Sequence, residues 1–315
     1  MTTTFSAMPR SRFLLRRRKG GIIEGALHLL GRRLGLLFVV LVPLLAGCSS
    51  VRLLYGNAPQ LAWWWVDGYA DLSREQAPAA RQALDDFFDW HRRTQLNEYA
   101  AFLGTVAPQL AGPMTPQQAC SLQQQVRKGL EAALQQALAR AADVVPRLTD
   151  ANFKAIEQRY AKANATMRDD FLQPDPAERA QAAFKRTLER AERLYGSLGE
   201  AQQRVLREGL AASPFDPEAW LAERQRRQRD TLATLRQLAA EPAPAEQRIA
   251  ALRALAQRTE RSPDAGYRAY QQRLAEDNCA FFARLHNATT AAQRQRALER
   301  LAAWEADLRL LARSD

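Results

Sequence analysis

Apolar side chains recur at spacings of three and four along most of this chain, the period of a helix with one buried face. Leu84, Phe88, His91, Gln95, Tyr99, Phe102 and Val106 make one mostly apolar stripe of this kind. Leu298, Leu301, Trp304, Leu308 and Leu311 make a second, narrower seam near the C-terminus. No stretch pairs strict alternation with a hairpin turn, as strands would. Helix starts are marked as well. Ser73-Arg74-Glu75-Gln76 has the form of a capping box, in which hydroxyl and amide satisfy each other's orphan N–H groups. Asp175-Pro176, Asp216-Pro217 and Ser262-Pro263-Asp264 join a cap residue to a first-turn proline. The pattern predicts helices at about 59–70, 74–110, 116–145, 150–172, 176–196, 200–212, 217–240, 245–260, 264–287 and 291–312. The expected fold is all-α, a bundle or array of nine to ten helices.

The helix start is reused. Leu72-Ser73-Arg74-Glu75-Gln76 is echoed at Met114-Thr115-Pro116-Gln117-Gln118, Leu148-Thr149-Asp150-Ala151-Asn152, Leu198-Gly199-Glu200-Ala201-Gln202 and Thr289-Thr290-Ala291-Ala292-Gln293. The cap positions lie 42, 34, 50 and 91 residues apart, which excludes a solenoid of equal repeats. Favourable capping chemistry used several times accounts for the echo. The L-T-x-x-Q form also resembles small periplasmic helical chaperones of the envelope-stress type.

The first 47 residues read differently. Eight basic residues stand against one acid, Glu24, and Leu34 to Ala46 is almost purely apolar. Thirteen helical residues reach only about 20 Å, too short to span a bilayer, whereas a basic segment before a short apolar run is a secretory signal. Its end, Leu45-Ala46-Gly47-Cys48, resembles the lipobox of bacterial lipoproteins. The resemblance implies diacylglycerol on the Cys48 sulfur, cleavage before it and acylation of the new N-terminus. Ser49 stands where Asp would retain such a lipoprotein at the inner membrane. The expected location is therefore the outer membrane, facing the periplasm. The expected division is a removed signal peptide, 1–47, a lipidated tether, 48–58, and an all-helical periplasmic domain, 59–315.

The leader changes what charge implies. The whole chain carries +11, with 45 basic and 34 acidic residues. Without residues 1–47 the balance is 37 against 33, a net +4. The basic pI is thus mostly a targeting feature, and a nucleic-acid partner loses its main support. Cys48 is assigned to lipid, leaving Cys120 and Cys279. In an oxidising compartment they either pair or sit as separate buried thiols, and pairing is the expectation.

Candidate chemistry is sparse. The aromatic run Trp63-Trp64-Trp65 with Tyr69 is a core helix on the simplest view. The alternatives are an aromatic contact surface, at the membrane interface near the lipid or stacking on glycan. His91 lies on the apolar stripe and is expected as a core histidine donating to a carbonyl or to an acid. Its sequence neighbours Asp85, Asp86, Asp89 and Glu98 are expected on a solvated face, like the charged run from Glu223 to Asp230. No H-E-x-x-H, C-x-x-C, phosphate-cradling loop or G-x-S-x-G elbow occurs, so no metal or cofactor is expected.

Three segments together resemble a family of uncharacterised all-helical Gram-negative lipoproteins, classed as a domain of unknown function. They are Asp67-Gly68-Tyr69-Ala70-Asp71-Leu72 with the tryptophans before it, Asp89-Trp90-His91-Arg92-Arg93-Thr94-Gln95-Leu96 with Tyr99, and Tyr267-Arg268-Ala269-Tyr270 through Gln293-Arg294-Gln295-Arg296. The resemblance implies location and fold over nearly all of the mature chain, and no activity. The expected function is that of a membrane-tethered helical binding, scaffold or chaperone-like protein with an envelope protein or peptidoglycan as partner. The alternative is a peptidoglycan-acting enzyme using a single glutamate, with Glu75, Glu98 and Glu200 as candidates.

Overall fold

Side-chain caps at Thr115, Asp175, Asp216, Asp264 and Thr290 open several of the helices. The computed structural model describes residues 50–314 and contains twelve α-helices, with no strand among the described residues. In order they are α1 (Ser50–Gly56), α2 (Ala58–Ala70), α3 (Ala77–Thr94), α4 (Leu96–Ala111), α5 (Pro116–Val144), α6 (Asp150–Phe171), α7 (Pro176–Tyr195), α8 (Glu200–Ala212), α9 (Pro217–Ala240), α10 (Ala245–Glu260), α11 (Ala265–Asn287) and α12 (Ala291–Leu311). A 3-10 turn, Val145–Arg147, joins α5 to α6. The leader 1–47 and Cys48 lie outside the described residues.

Two elements depart from the expected boundaries. Ser50–Gly56, expected as part of the lipidated tether, is helical up to a turn at Asn57. Seven residues do not hold a helix alone in water. α1 is held by packing on α12, where Arg52 pairs with Asp307 at 3.1 Å, and by Tyr55, whose hydroxyl lies 2.8 Å from His91 Nδ1. The single helix expected over 74–110 is two, meeting at Gln95. Thr94 Oγ1 donates to the Trp90 carbonyl at 2.8 Å. This back-bonding by a hydroxyl bends helices. Ser73–Gln76 forms a turn ahead of α3 rather than its first turn. Gln76 Oε1 accepts from Ser73 N–H, but Ser73 Oγ donates to Glu75, so only half of the capping box is made.

Burial follows the stripes. Val106 is buried and the rest of its stripe half-buried; Leu301 and Leu311 bury the C-terminal seam. One core joins Val106 and Leu110 of α4, Ala119 of α5, Cys279 and Ala283 of α11 and Leu301 of α12. A second joins Phe184 and Tyr195 of α7, Leu206 of α8, Leu285 of α11 and Ala297 of α12. Two more lie between α2, α6 and α9, and between α5, α9 and α10. α5 contributes to the first core at its N-terminal end and the last at its C-terminal end, so it ties the body together. Cys120 on α5 and Cys279 on α11 form a disulfide, with Cα atoms 5.2 Å apart across 159 residues of sequence.

The echoed helix starts meet in pairs. Asn152 Oδ1 accepts from Thr149 N–H, closing its own helix start, while Asn152 Nδ2 donates to the carbonyls of Ala70 and Asp71. Gln76 Nε2 answers by donating to Arg147 O and Asn152 Oδ1. The same exchange recurs between Gln202 and Gln293. Each amide oxygen accepts from its own cap residue, Gly199 or Thr290. Gln202 Nε2 donates to Ala288 O and to Gln293 Oε1, and Gln293 Nε2 donates to Ser197 O. In both pairs an amide reaches the carbonyl two residues ahead of the partner's cap. The helices that lead into Ser73 and Gly199, α2 and α7, both end at a residue with positive φ, Asp71 (48°) and Gly196 (77°). All four amide side chains are buried. What reads in sequence as repeated capping is thus also a buried polar lock, used twice.

Candidate functional site

α2 carries the aromatic run, and the structure divides it. Trp63 is turned inward, 7% exposed, with the Arg81 guanidinium 3.9 Å above its ring. Trp64 and Trp65 point outward, 61% and 63% exposed. Of the three indoles only Trp63 enters the core, where Ala70 of the same helix is also buried. Trp65 stacks obliquely on Tyr69, with ring centroids 4.7 Å apart, and Tyr69 meets Tyr160 of α6 edge-on. Helical period places Leu61, Trp64, Trp65 and Gly68 on one exposed face, and α1 adds exposed Leu53 and Leu54. The sequence signal for this face is an absence of charge: from Leu53 to Val66 there is no Asp, Glu, Lys, Arg or His, in a chain where a quarter of the residues are charged.

His91 fixes this region to the body. Its ring stacks against Tyr55 of α1 and lies beside Phe87, Trp90 and Tyr99. Burial holds its pKa below the ordinary histidine value, and burial pushes the Tyr55 phenol up to about 12 against the pull of Arg92. The expected partner of His91 was a carbonyl or an acid; the structure supplies a phenol. Asp86 instead pairs with Arg140 at 3.2 Å, and Asp85, Asp89 and Glu98 are exposed.

The other described histidine, His286, is fully buried. Its Nε2 lies 2.8 Å from the Gly112 carbonyl, which can only accept, so Nε2 carries the proton. Nδ1 is then the acceptor for the Tyr195 hydroxyl at 2.9 Å. Burial lowers the His286 pKa, although the Gly112 bond opposes it. The folded protein therefore binds fewer protons at both histidines than the unfolded chain does. Their contribution to stability is complete above the unfolded value near 6.5 and is lost as pH falls through the lower folded values. The melting temperature is expected to fall as pH is lowered from 7 to 5 at constant ionic strength. A flat profile across that window would contradict the assignment.

The run from Glu223 to Asp230 is not a solvated face. Glu223 is buried, and its carboxylate accepts from Arg226, Arg227 and Ser262. Burial raises its pKa, but the two guanidinium bonds outweigh that and hold it below the ordinary value. Arg258 reaches Asp230 with bonds of 3.0 and 2.9 Å. Local charge pairing at i+3 and i+4 lets these groups leave water, which the charge pattern alone does not reveal.

Beside this network lies a cleft of about 970 Å³ between α5, α10 and α11, whose walls include Arg127, Arg258, Arg261 and Arg268 against one acid, Glu260. Arg268 is held by the carbonyls of Ser262 and Pro263. Two of these guanidiniums already meet carboxylates, Arg127 with Glu260 and Arg258 with Asp230. Glu75, Glu98 and Glu200 are all exposed and none lines the cleft. Among the described residues no three His, Cys, Asp or Glu side chains converge as metal ligands would. No described helix is long and apolar enough to cross a membrane.

α5 exposes a further apolar face. Leu122, Val126, Leu130, Leu134 and Leu138 follow one another at i+4. The outer two pack into cores, whereas Val126, Leu130 and Leu134 are exposed. These features define a disulfide-bonded, all-helical protein with apolar and cationic surfaces. The chain belongs to a family of unknown function (DUF6279), whose model matches residues 68–268. That match is shorter than the near-complete coverage expected, and it leaves out α1, most of α2, Cys279 and α12. No curated protein and no solved structure matches the chain.

Proposed function

We propose that this protein is an outer-membrane-anchored periplasmic lipoprotein that binds, scaffolds or shields other envelope proteins through its helix faces. The anchor rests on Leu45-Ala46-Gly47-Cys48 and the short apolar run before it. The binding role rests on one observation, the apolar stripe of α5 left exposed between two buried ends. Arg127, which follows Val126 in sequence, pairs with Glu260 of α10. The partner that fits is a polypeptide segment that presents apolar residues, and a monomeric surface does not usually leave such a row uncovered without one.

Two measurements test the two parts. Metabolic labelling with an alkynyl palmitate is expected to mark the wild-type protein and to leave Cys48→Ser unlabelled and soluble in the periplasm. A labelled Cys48→Ser product in the outer membrane would overturn the anchor. For the binding role, unlipidated protein is mixed with a thermally aggregating client, and separately with purified peptidoglycan. Suppressed aggregation, lost in Leu130→Glu with helicity unchanged, is the expected result. Release of soluble muropeptides, abolished by replacing a single glutamate, would replace binding with catalysis.

A further inference from the structure

We infer that the uncharged outer face of α1 and α2 lies in the headgroup layer of the bilayer that carries the anchor, and so fixes how the body stands on the membrane. The inference rests on the lipid-anchor proposal for the membrane that is present, but its own support is separate. Leu53, Leu54, Leu61, Trp64 and Trp65 are all exposed, and the other exposed positions between Leu53 and Gly68 are Gly56, Asn57, Gln60, Asp67's neighbour Gly68 and nothing charged. Exposed leucine and indole, with amides and glycines at the other exposed positions, is the composition that settles at a membrane interface. The face also begins within reach of the lipid. Leu53 is five residues after Cys48, at most roughly 12 Å, because the stretch from Ser50 onward is helical.

The absence of charge decides between occupants. A protein partner recognised by charge would meet nothing on this face, whereas a bilayer needs only apolar side chains and hydrogen-bonding amides. The face is also rigidly mounted. Arg52 to Asp307, Tyr55 to His91 and Trp63 beneath Arg81 hold α1 and α2 to α12 and α3. Insertion of Leu53 and Trp64 therefore orients the whole body rather than a loose segment. Because the face is uncharged, its binding is independent of ionic strength and does not need anionic lipid.

The test uses the chain from residue 48 onward with Cys48→Ser, since residues 50–315 form one compact unit. It is mixed with phosphatidylethanolamine–phosphatidylcholine vesicles carrying brominated acyl chains, which quench indoles at the depth of the bromine. Expected are partition that is the same at low and high salt, and quenching that is lost in the Trp64→Phe/Trp65→Phe variant although partition persists. Leu53→Asp/Trp64→Asp is expected to weaken partition at least about tenfold with an unchanged far-ultraviolet spectrum. Absence of partition, or quenching that survives in the phenylalanine variant, would overturn the inference. So would a concentration-dependent dimer in sedimentation that Leu53→Asp/Trp64→Asp dissolves, because the occupant would then be a second copy. The lipidated protein in the same vesicles separates the two proposals. Anchoring without quenching of Trp64 and Trp65 removes the orientation and leaves the anchor standing. Vesicle binding by a chain that is never lipidated in cells removes the anchor and leaves the face.

Discussion

Replacing Cys120 and Cys279 together with alanine is expected to lower the unfolding free energy by about 3–5 kcal/mol, read from denaturant titration of oxidised wild type and variant. The bridge closes 159 residues, so most of its effect lies in the unfolded chain, where α5 and α11 can no longer separate freely. It also sits within the core formed by Met114, Ala119, Ala283 and Leu301, and alanines there leave space where the sulfurs were. Reduction of wild-type protein should reproduce most of the loss. A change below about 1 kcal/mol would mean that the native packing of α5 on α11 supplies nearly all of the constraint without the bridge.

The next largest effect is expected at Asn152. Its side chain is almost wholly buried and joins Thr149, Ala70, Asp71 and Gln76. Alanine leaves the Thr149 N–H, the Ala70 and Asp71 carbonyls and the buried Gln76 amide without this partner. The expected cost is about 3–4 kcal/mol, with one unsatisfied buried group costing roughly 1–3 and the solvent-accessible partners recovering part. The lock is a pairwise claim, so the double variant Gln76→Ala/Asn152→Ala is the sharper measurement. A coupling of at least about 1 kcal/mol in the cycle is expected, because each amide is the other's partner. Strict additivity would show two independent caps. The equivalent cycle at Gln202 and Gln293 should behave alike, since the same four kinds of bond are made there.

The candidate site was legible only in part. The aromatic run stood out, but three adjacent indoles point in three directions on a helix, and which one enters the core depends on where Arg81 and the neighbouring helix lie. Glu223 was misread because buried and solvated charge runs look alike until Ser262 and Arg258, 39 and 35 residues away in sequence, are brought beside them. The exposed stripe on α5 was hidden for the opposite reason. Apolar residues at i+4 signal a buried face, and nothing in the sequence says that the middle of the stripe lacks a cover.

The sequence by itself determined the helices, because caps, prolines and the three-four period act within a few residues. The boundaries of α8, α9 and α10 fall where Gly199-Glu200, Asp216-Pro217 and Pro244-Ala245 place them. The basic first segment and the Leu45-Ala46-Gly47-Cys48 run are likewise read from the linear sequence alone. Tertiary structure alone decided the rest. It made α1 a helix by giving seven residues a surface to pack on, bent the chain at Gln95, and turned Trp63 inward and Trp64 outward. It paired Gln76 with Asn152 and Gln202 with Gln293 across 76 and 91 residues. A cap is satisfied by its own turn, but a buried amide with four hydrogen-bonding sites needs partners that only the fold can bring.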